Sequence, residues 1–339
     1  MNGVDLPPSP PSLPIIGHLH YLLLSFLHHK SFLHYKSFHT LSSKYGPLLH
    51  LQFFFFPAIL VSSAPVAYQI FMTHDVNISS RNLFSDASGF FTAPYGEHFK
   101  FMKKLIVTNM FGPQALEHSR SIRADELERS YMNLVNKAKK KESVDIKKEA
   151  MELIGNIICR MSFGRRFTEE IGEADSVQGS VIKSSGTKKK MILEILFFFE
   201  ILLFRQVEKL GISLFKKDIT AVLKKLNELL EKIMLEHKEK PNMNGYNDMM
   251  DLLLSVYEDE NADYKITKNH IKAFFVELIF GGIDTNVITI QWTMAEIVNN
   301  PIIMERLREE IDSVVGKSRL IQETDLPNLP YLQAVIKEG

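Results

Sequence analysis

The sequence has a single cysteine, Cys159, among 339 residues. One thiol can neither close a disulfide within the chain nor build a multi-cysteine zinc site, and it suits a reducing, cytosol-facing setting. An excess of charge is also missing: Lys plus Arg number 40 and Asp plus Glu number 40. That balance gives nucleic acid no general attraction to the chain. Long apolar runs are absent. No signal peptide opens the sequence, and no window reaches the roughly 18 uninterrupted apolar residues of a spanning helix. The nearest candidate, Met191 to Phe204, is short and carries Glu194 and Glu200. It suits a core helix or a segment that dips into a bilayer interface. Common catalytic signatures are lacking too: there is no His-Glu-x-x-His, no Gly-x-Ser-x-Gly and no dinucleotide fingerprint. Gly316-Lys317-Ser318 ends like a phosphate-binding loop. Ile311, however, stands where that loop needs its first glycine, and an amphipathic helix precedes it.

What is present is a chain 45% hydrophobic, long enough to bury a sizeable core. Lysines cluster at Lys137, Lys139, Lys140 and Lys141 and at Lys188, Lys189 and Lys190. Solvated helix ends explain them, with a membrane-surface or partner patch as the alternative. Residues 7–17 are rich in proline, which fixes φ and removes donors, so a stiff extended segment is expected. Phe26 to Phe32 and Leu33 to Phe38 read as a local tandem duplication that lengthens a helix or bulges a loop. Histidines gather between His18 and His50, but their spacing matches no standard metal site. The sequon Asn77-Ile78-Ser79 matters only in a secreted protein and reads as chance.

Tyr45-Gly46-Pro47 is a turn, and Leu48 to Ser63, interrupted by Pro57, predicts two paired strands. Helical periodicity then dominates: Val66 to Thr73, Ser121 to Lys140, Val144 to Phe163, Lys217 to Lys238, Met249 to Val256 and Pro301 to Val315. The expected class is mainly α with a small β subdomain.

The most informative stretch runs from Thr267, the expected N-cap, to Asn299, with Pro301 as a stop. Its middle, Phe274 to Phe280, is apolar on nearly all sides, the pattern of a buried helix. Gly281-Gly282-Ile283-Asp284-Thr285 follows. Each glycine costs a helix about 1 kcal/mol relative to alanine. A buried carboxylate and hydroxyl cost more unless they are satisfied. Two readings fit. One is a close helix crossing with a satisfied polar pair. The other is a gap where a large flat group approaches the backbone and an acid beside an alcohol passes protons or holds a water.

This stretch resembles the oxygen-activation motif in the long central helix of cytochromes P-450. Companion segments occur in the family's order. Leu13-Pro14-Ile15-Ile16-Gly17 resembles the hinge after the membrane anchor of microsomal members, and Lys44-Tyr45-Gly46-Pro47-Leu48 the entry into the first strands. Ala93 to Lys100 resembles the approach to the helix that touches the haem propionates, and Glu323 to Glu338 the approach to the Glu-x-x-Arg motif. The style is that of plant enzymes of specialised metabolism.

The resemblance implies a proline-rich hinge over residues 1–17 and a partial cytochrome P-450 domain over 18–339. It implies a haem-thiolate monooxygenase that inserts one oxygen atom into a lipophilic small molecule. Electrons would come from an NADPH-dependent flavin reductase, at the cytosolic face of the endoplasmic reticulum membrane. Asp284 and Thr285 would deliver protons for O–O cleavage. Gly281 and Gly282 would let the helix pass close to the haem. Phe99 and Lys100 would sit near the propionates, Lys100 through a charge-assisted bond. Glu338 would be a structural salt-bridge position, and Phe274, Phe275 and Leu278 would line the substrate side, as would part of Phe84 to Phe91.

Departures weigh on these roles. Phe99 stands where tryptophan is usual, Lys100 where arginine is frequent, and Asn286 where Ser or Thr is common. The chain stops at Gly339, ahead of the arginine of Glu-x-x-Arg and of the loop whose cysteine thiolate ligates the iron. Cys159 lies in a helical pattern and reads as a buried structural thiol. Met1 nearly abuts the hinge, so the absence of the anchor is expected as well. The expectation is a truncated, inactive chain, peripheral or cytosolic. Its alternatives are a non-catalytic helical fragment that binds membrane or a partner, and an unrelated helical protein.

Overall fold

The structure is a computed structural model, which describes residues 6–21, 34–54, 56–78, 89–90, 93–167, 216–239 and 248–338. The Met191 to Phe204 segment and most of the tandem duplication lie outside the described residues. Helices dominate and the sheet is small, as the periodicities predict. The chain divides into two compact units, Met1–Ser80 and Arg81–Gly339.

In the first unit, α1 spans His34–Tyr45. Strands β1, Leu48–Phe53, and β2, Phe56–Val61, then pair antiparallel from Leu48↔Val61 to Phe53↔Phe56. Pro57 is tolerated because of its partner. It faces Gln52, whose carbonyl and N–H both turn to the other edge of β1, toward His18. The position opposite Gln52 therefore needs no N–H donor. Leu41, Leu49 and Leu51 form the small core beneath. Two further helices follow, α2, Ala64–Thr73, and the single turn α3, Asp75–Ile78.

In the second unit the first described helices are α4, Glu97–Asn109, α5, Pro113–His118, and α6, Arg120–Lys139. Helix α7, Ile146–Phe163, is capped by Asp145, which accepts from the Lys148 N–H at 3.2 Å, and ends at Gly164 in the left-handed region. Helices α8, Lys216–Glu239, and α9, Met249–Glu258, are the next described. The longest helix among the described residues is α10, Lys268–Asn299, about 48 Å at 1.5 Å per residue. Thr267 caps it as expected, with its hydroxyl oxygen accepting from the His270 N–H at 3.2 Å. Pro301 does more than stop this helix: it is the first residue of α11, Pro301–Val314. Proline lacks the N–H that the first turn leaves unpaired anyway, so one residue ends one helix and starts the next. A 3-10 turn, Glu323–Asn328, and α12, Pro330–Glu338, complete the chain.

Helix α10 packs along α7 and also meets α8, α9 and α11. The main core lies among them, with Met102 and Ile106 of α4, Cys159 and Phe163 of α7, Leu230 and Ile233 of α8, and Phe274, Phe275, Ile279, Ile283 and Val287 of α10. By length and composition α10 is apolar enough to cross a membrane, yet this side of it forms the middle of a protein core.

Candidate functional site

Helix α10 is not buried all round, as its apolar middle suggested. Ile271, Phe274, Phe275, Ile279, Ile283 and Val287 face the core. Phe280, Ile288 (51% exposed) and Trp292 (63% exposed) stand open. Gly281, Thr285, Ile288 and Trp292 recur at four- and three-residue steps and so lie on one stripe. A Cβ on Gly281 would meet nothing within 4 Å, whereas one on Gly282 would come within 2.9 Å of Ile158 Cδ1 on α7. The two glycines therefore serve different ends. Gly282 admits a neighbouring helix, and Gly281 leaves clear backbone beside Thr285.

Side chains along this stretch bond back to the helix. Thr285 Oγ1 donates to the Gly281 carbonyl at 2.7 Å, Asn286 Nδ2 to the Gly282 carbonyl at 2.6 Å, and Thr289 Oγ1 to the Thr285 carbonyl at 3.0 Å. Such bonds ease the helix open slightly. They also commit the hydroxyl hydrogen of Thr285 inward, so its lone pairs are what it can offer a group on the open stripe. Asp284, half-buried, is its chain neighbour. Gly281, Gly282, Asp284 and Thr285 thus share little more than one turn.

The other expected site residues lie elsewhere. Phe99 on α4 is half-buried and stacks on Phe90 at 5.2 Å, with Tyr95 at 5.7 Å. Lys100 is exposed. Its ammonium bonds Glu97 at 3.0 Å and lies 5.6 Å from the Tyr95 ring centroid. The Glu97 hydrogen bond, then the charges of Glu97 and Tyr95, hold its pKa above the ordinary lysine value. Helix α4 is tied to the start of α10 by rings: His98 lies 4.3 Å from His270 and 5.5 Å from Tyr264. Phe274 and Phe275 are core residues in mutual contact at 5.1 Å, and Phe275 meets Phe163 at 4.6 Å. Leu278 packs on the margin of that core, and Glu338 is exposed at the end of α12. Cys159, 3% exposed, lines a small cavity with Phe163, Leu230 and Ile279, on the core side of α10.

Sequence reasoning missed Ile288 and Trp292, although steps of seven and eleven from Gly281 would have found them. It also missed His98. Among the described residues, His237, Asp248 and Asp251 have ligand-type atoms within 4.8 Å of one another. They are bound into a helix cap: His237 Nε2 lies 3.0 Å from Asp248 Oδ2, and Asp248 Oδ1 accepts from the Asp251 N–H at 3.0 Å.

A family model described as Cytochrome P450 matches residues 7–339. The chain is similar to Cytochrome P450 705A22 of Arabidopsis thaliana, with 62% identity over 342 residues covering 99% of this chain and 64% of that relative. Cytochrome P450 705A20 of the same plant is 59% identical over 345 residues, covering 99% and 65%. The chain therefore spans a little under two thirds of the length of these relatives. A solved zebra fish cytochrome P450 structure with progesterone matches with a TM-score of 0.69 over 89% of this chain and 69% of that one. At 22% identity that likeness speaks for the fold alone.

Proposed function

The chain belongs to the cytochrome P450 family, and on that premise we propose that the whole protein is a haem-thiolate monooxygenase that inserts one oxygen atom into a lipophilic small molecule. An NADPH-dependent flavin reductase is the proposed electron source. The cytosolic face of the endoplasmic reticulum membrane is the proposed location, with the chain in contact with the membrane surface. The observation that carries this reading is the open stripe of α10. There an unobstructed glycine backbone lies next to a threonine hydroxyl already oriented by a 2.7 Å bond to the Gly281 carbonyl.

A large planar group fits that stripe, since Gly281 presents no side chain and Phe280, Ile288 and Trp292 offer apolar surface beside it. When bound with a thiolate ligand, haem supplies the activation of dioxygen. Binding, orientation and proton supply fall to the residues of this chain. Thr285 holds a water or substrate oxygen by its lone pairs, and Asp284 beside it acts as the proton donor. Lys100, beside the Tyr95 ring, would hold a propionate by a charge-assisted bond, with Phe99 close by on α4. Gly281 gives the closest approach and Gly282 sets the depth of α10 against α7. Leu278, on the core margin, touches substrate, with Phe274 and Phe275 behind it as the wall. Glu338 is a structural ion-pair position. Residues 1–17 form the proline-rich lead into the domain of residues 18–339.

No thiolate from these 339 residues suits this site. Cys159 is their one cysteine and faces the core. By themselves they are proposed to be non-catalytic. The test is a spectrum of the reduced, haem-supplied 339-residue chain under carbon monoxide. No thiolate-type Soret band is expected, and a clear band overturns the assignment of Cys159. The same residues joined to a cysteine-bearing haem segment should show the band, and NADPH-dependent oxygen insertion with a reductase. A folded haem protein of that kind without the band would sink the monooxygenase reading. The exposed Ile288 and Trp292 favour a second reading, in which the 339 residues capture a membrane or partner through apolar surface. A monodisperse, cooperatively melting chain would support it, and heavy aggregation would count against it.

A further inference from the structure

The proline-rich segment is bonded along the free edge of β1, and one histidine side chain does what a strand's backbone would do. Opposite β2, the outer edge of β1 needs partners for the N–H groups of His50 and Gln52. Pro8 supplies one, its carbonyl accepting from the His50 N–H at 2.9 Å. For Gln52 no strap carbonyl is in place. Its N–H donates instead to His18 Nδ1 at 2.8 Å, while its carbonyl accepts from the His18 N–H at 2.7 Å. Nδ1 also lies 3.2 Å from the Gln52 carbonyl oxygen, but the Gln52 N–H is nearer and can only donate, so Nδ1 carries the lone pair and Nε2 the hydrogen. Nε2 then donates to the Pro10 carbonyl at 2.8 Å, with Ser9 Oγ at 3.3 Å. The ring is 2% exposed. The chain reaches this position through a tight reversal in which Leu13 and Gly17 exchange backbone bonds at 3.0 and 2.9 Å. Gly17 has φ +61°, and a Cβ there would lie 2.1 Å from the Gln52 carbonyl oxygen. Only glycine lets the strap lie this close.

We propose that His18 is the rivet of a strap: it fixes residues 8–18 to β1, so the proline-rich segment and the strand pair move as one body rather than bending at the prolines. Two acceptor-donor contacts from one ring join two chain segments that proline prevents from forming a regular ladder. The N-terminal end of the described chain therefore leaves the sheet in a set direction.

Amide hydrogen exchange on the whole 339-residue chain tests it, comparing the native protein with His18→Ala and His18→Asn. An asparagine side-chain oxygen can take the place of Nδ1, so His18→Asn should keep the Gln52 amide protected. His18→Ala should speed exchange at Gly17, residue 18 and Gln52 by about tenfold or more, while amides of α7 and α10 stay as they are. Unchanged exchange in His18→Ala overturns the proposal, as does an Asn variant that exchanges as fast as the Ala variant. If His18→Ala does not fold, the Asn variant decides: retained protection at Gln52 supports the rivet, and its loss removes it.

Discussion

Ile158 on α7 and Gly282 on α10 lie so close that a Cβ on the glycine would come within 2.9 Å of the isoleucine Cδ1. Gly281, its chain neighbour, faces open space. Alanine is worth about 1 kcal/mol more than glycine inside a helix. Gly281→Ala should therefore raise stability by up to about 1 kcal/mol. Gly282→Ala should gain clearly less, because the end of Ile158 must shift. Ile158→Val removes the obstructing methyl, so the double variant should recover part of the missing gain. Denaturant melts of the native protein, the three single variants and the double variant give the coupling; equal gains at the two glycines would disprove the packing role of Gly282.

A second long-range tie joins α6 to the turn before α12. Arg123 Nε and Nη2 donate to Glu323 Oε1 and Oε2 at 2.5 and 2.8 Å, two parallel bonds across 200 positions of sequence. The Arg123 hydrogen bond, then the charges of Arg123 and Arg120 against some opposition from burial, hold the Glu323 pKa below its ordinary value. A lowered carboxylate stabilises the fold above its unfolded value, and that contribution disappears as pH falls through the folded value. Glu323→Gln should cost about 1 kcal/mol near neutrality, given the partial exposure, and nothing in strong acid. Arg123→Lys should lose most of the same contribution because lysine lacks the fork. A cost that did not shrink on acidification would rule out the ion pair as its source.

Glu126 is 1% exposed and is the buried centre of a charge network. Arg166 Nε and Nη2 reach its two oxygens at 3.0 and 2.9 Å, and Arg160 Nη1 reaches Oε1 at 2.7 Å while also bonding Asp125. Removing the carboxylate takes away the partner that the two guanidiniums share and leaves Arg160 with Asp125. Glu126→Ala should destabilise by about 3 kcal/mol, the scale for breaking a buried pair. Arg166→Ala should cost less, since Arg160 still pairs with Glu126. Thermal melts of the two variants check the order; a reversed order would mean Arg166 carries the network.

His237 joins the end of α8 to the start of α9. Nδ1 lies 2.8 Å from the Ile233 carbonyl and Nε2 3.0 Å from Asp248 Oδ2. Both partners only accept, so satisfying both requires a ring protonated at both nitrogens. Burial pulls its pKa down. The Asp248 hydrogen bond and charge, the Ile233 carbonyl and the Asp251 charge together outweigh that and hold it above the ordinary histidine value of 6.5. The Lys238–Glu258 and Arg165–Glu236 pairs neighbour this corner in sequence. A raised folded pKa gives stability that is complete below the unfolded value and is lost as pH rises through the folded one. Stability should therefore fall from about pH 6.5 upward, and His237→Gln should flatten that part of the profile. A native-like slope in His237→Gln would assign the titration to another group.

Local chemistry was readable from the chain order. Thr267 as a cap, the strand pair around Pro57, the helical periods and the Gly281–Thr285 motif each depend on residues within a few positions of one another. The same holds for the ordered motifs that mark the family. Only the tertiary structure decided which face of α10 stays open, since Phe274 and Phe280 look alike in sequence and differ only in what packs on them. It also separated the two glycines, one against Ile158 and one against nothing. It paired Arg123 with Glu323, Glu126 with Arg166 and His18 with Gln52. Those partners are set by how helices and strands come together, and the periodicity of a single element carries no information about its neighbour. That is the physical reason the sequence determined the elements and the family, while the fold alone determined which side chains act on one another.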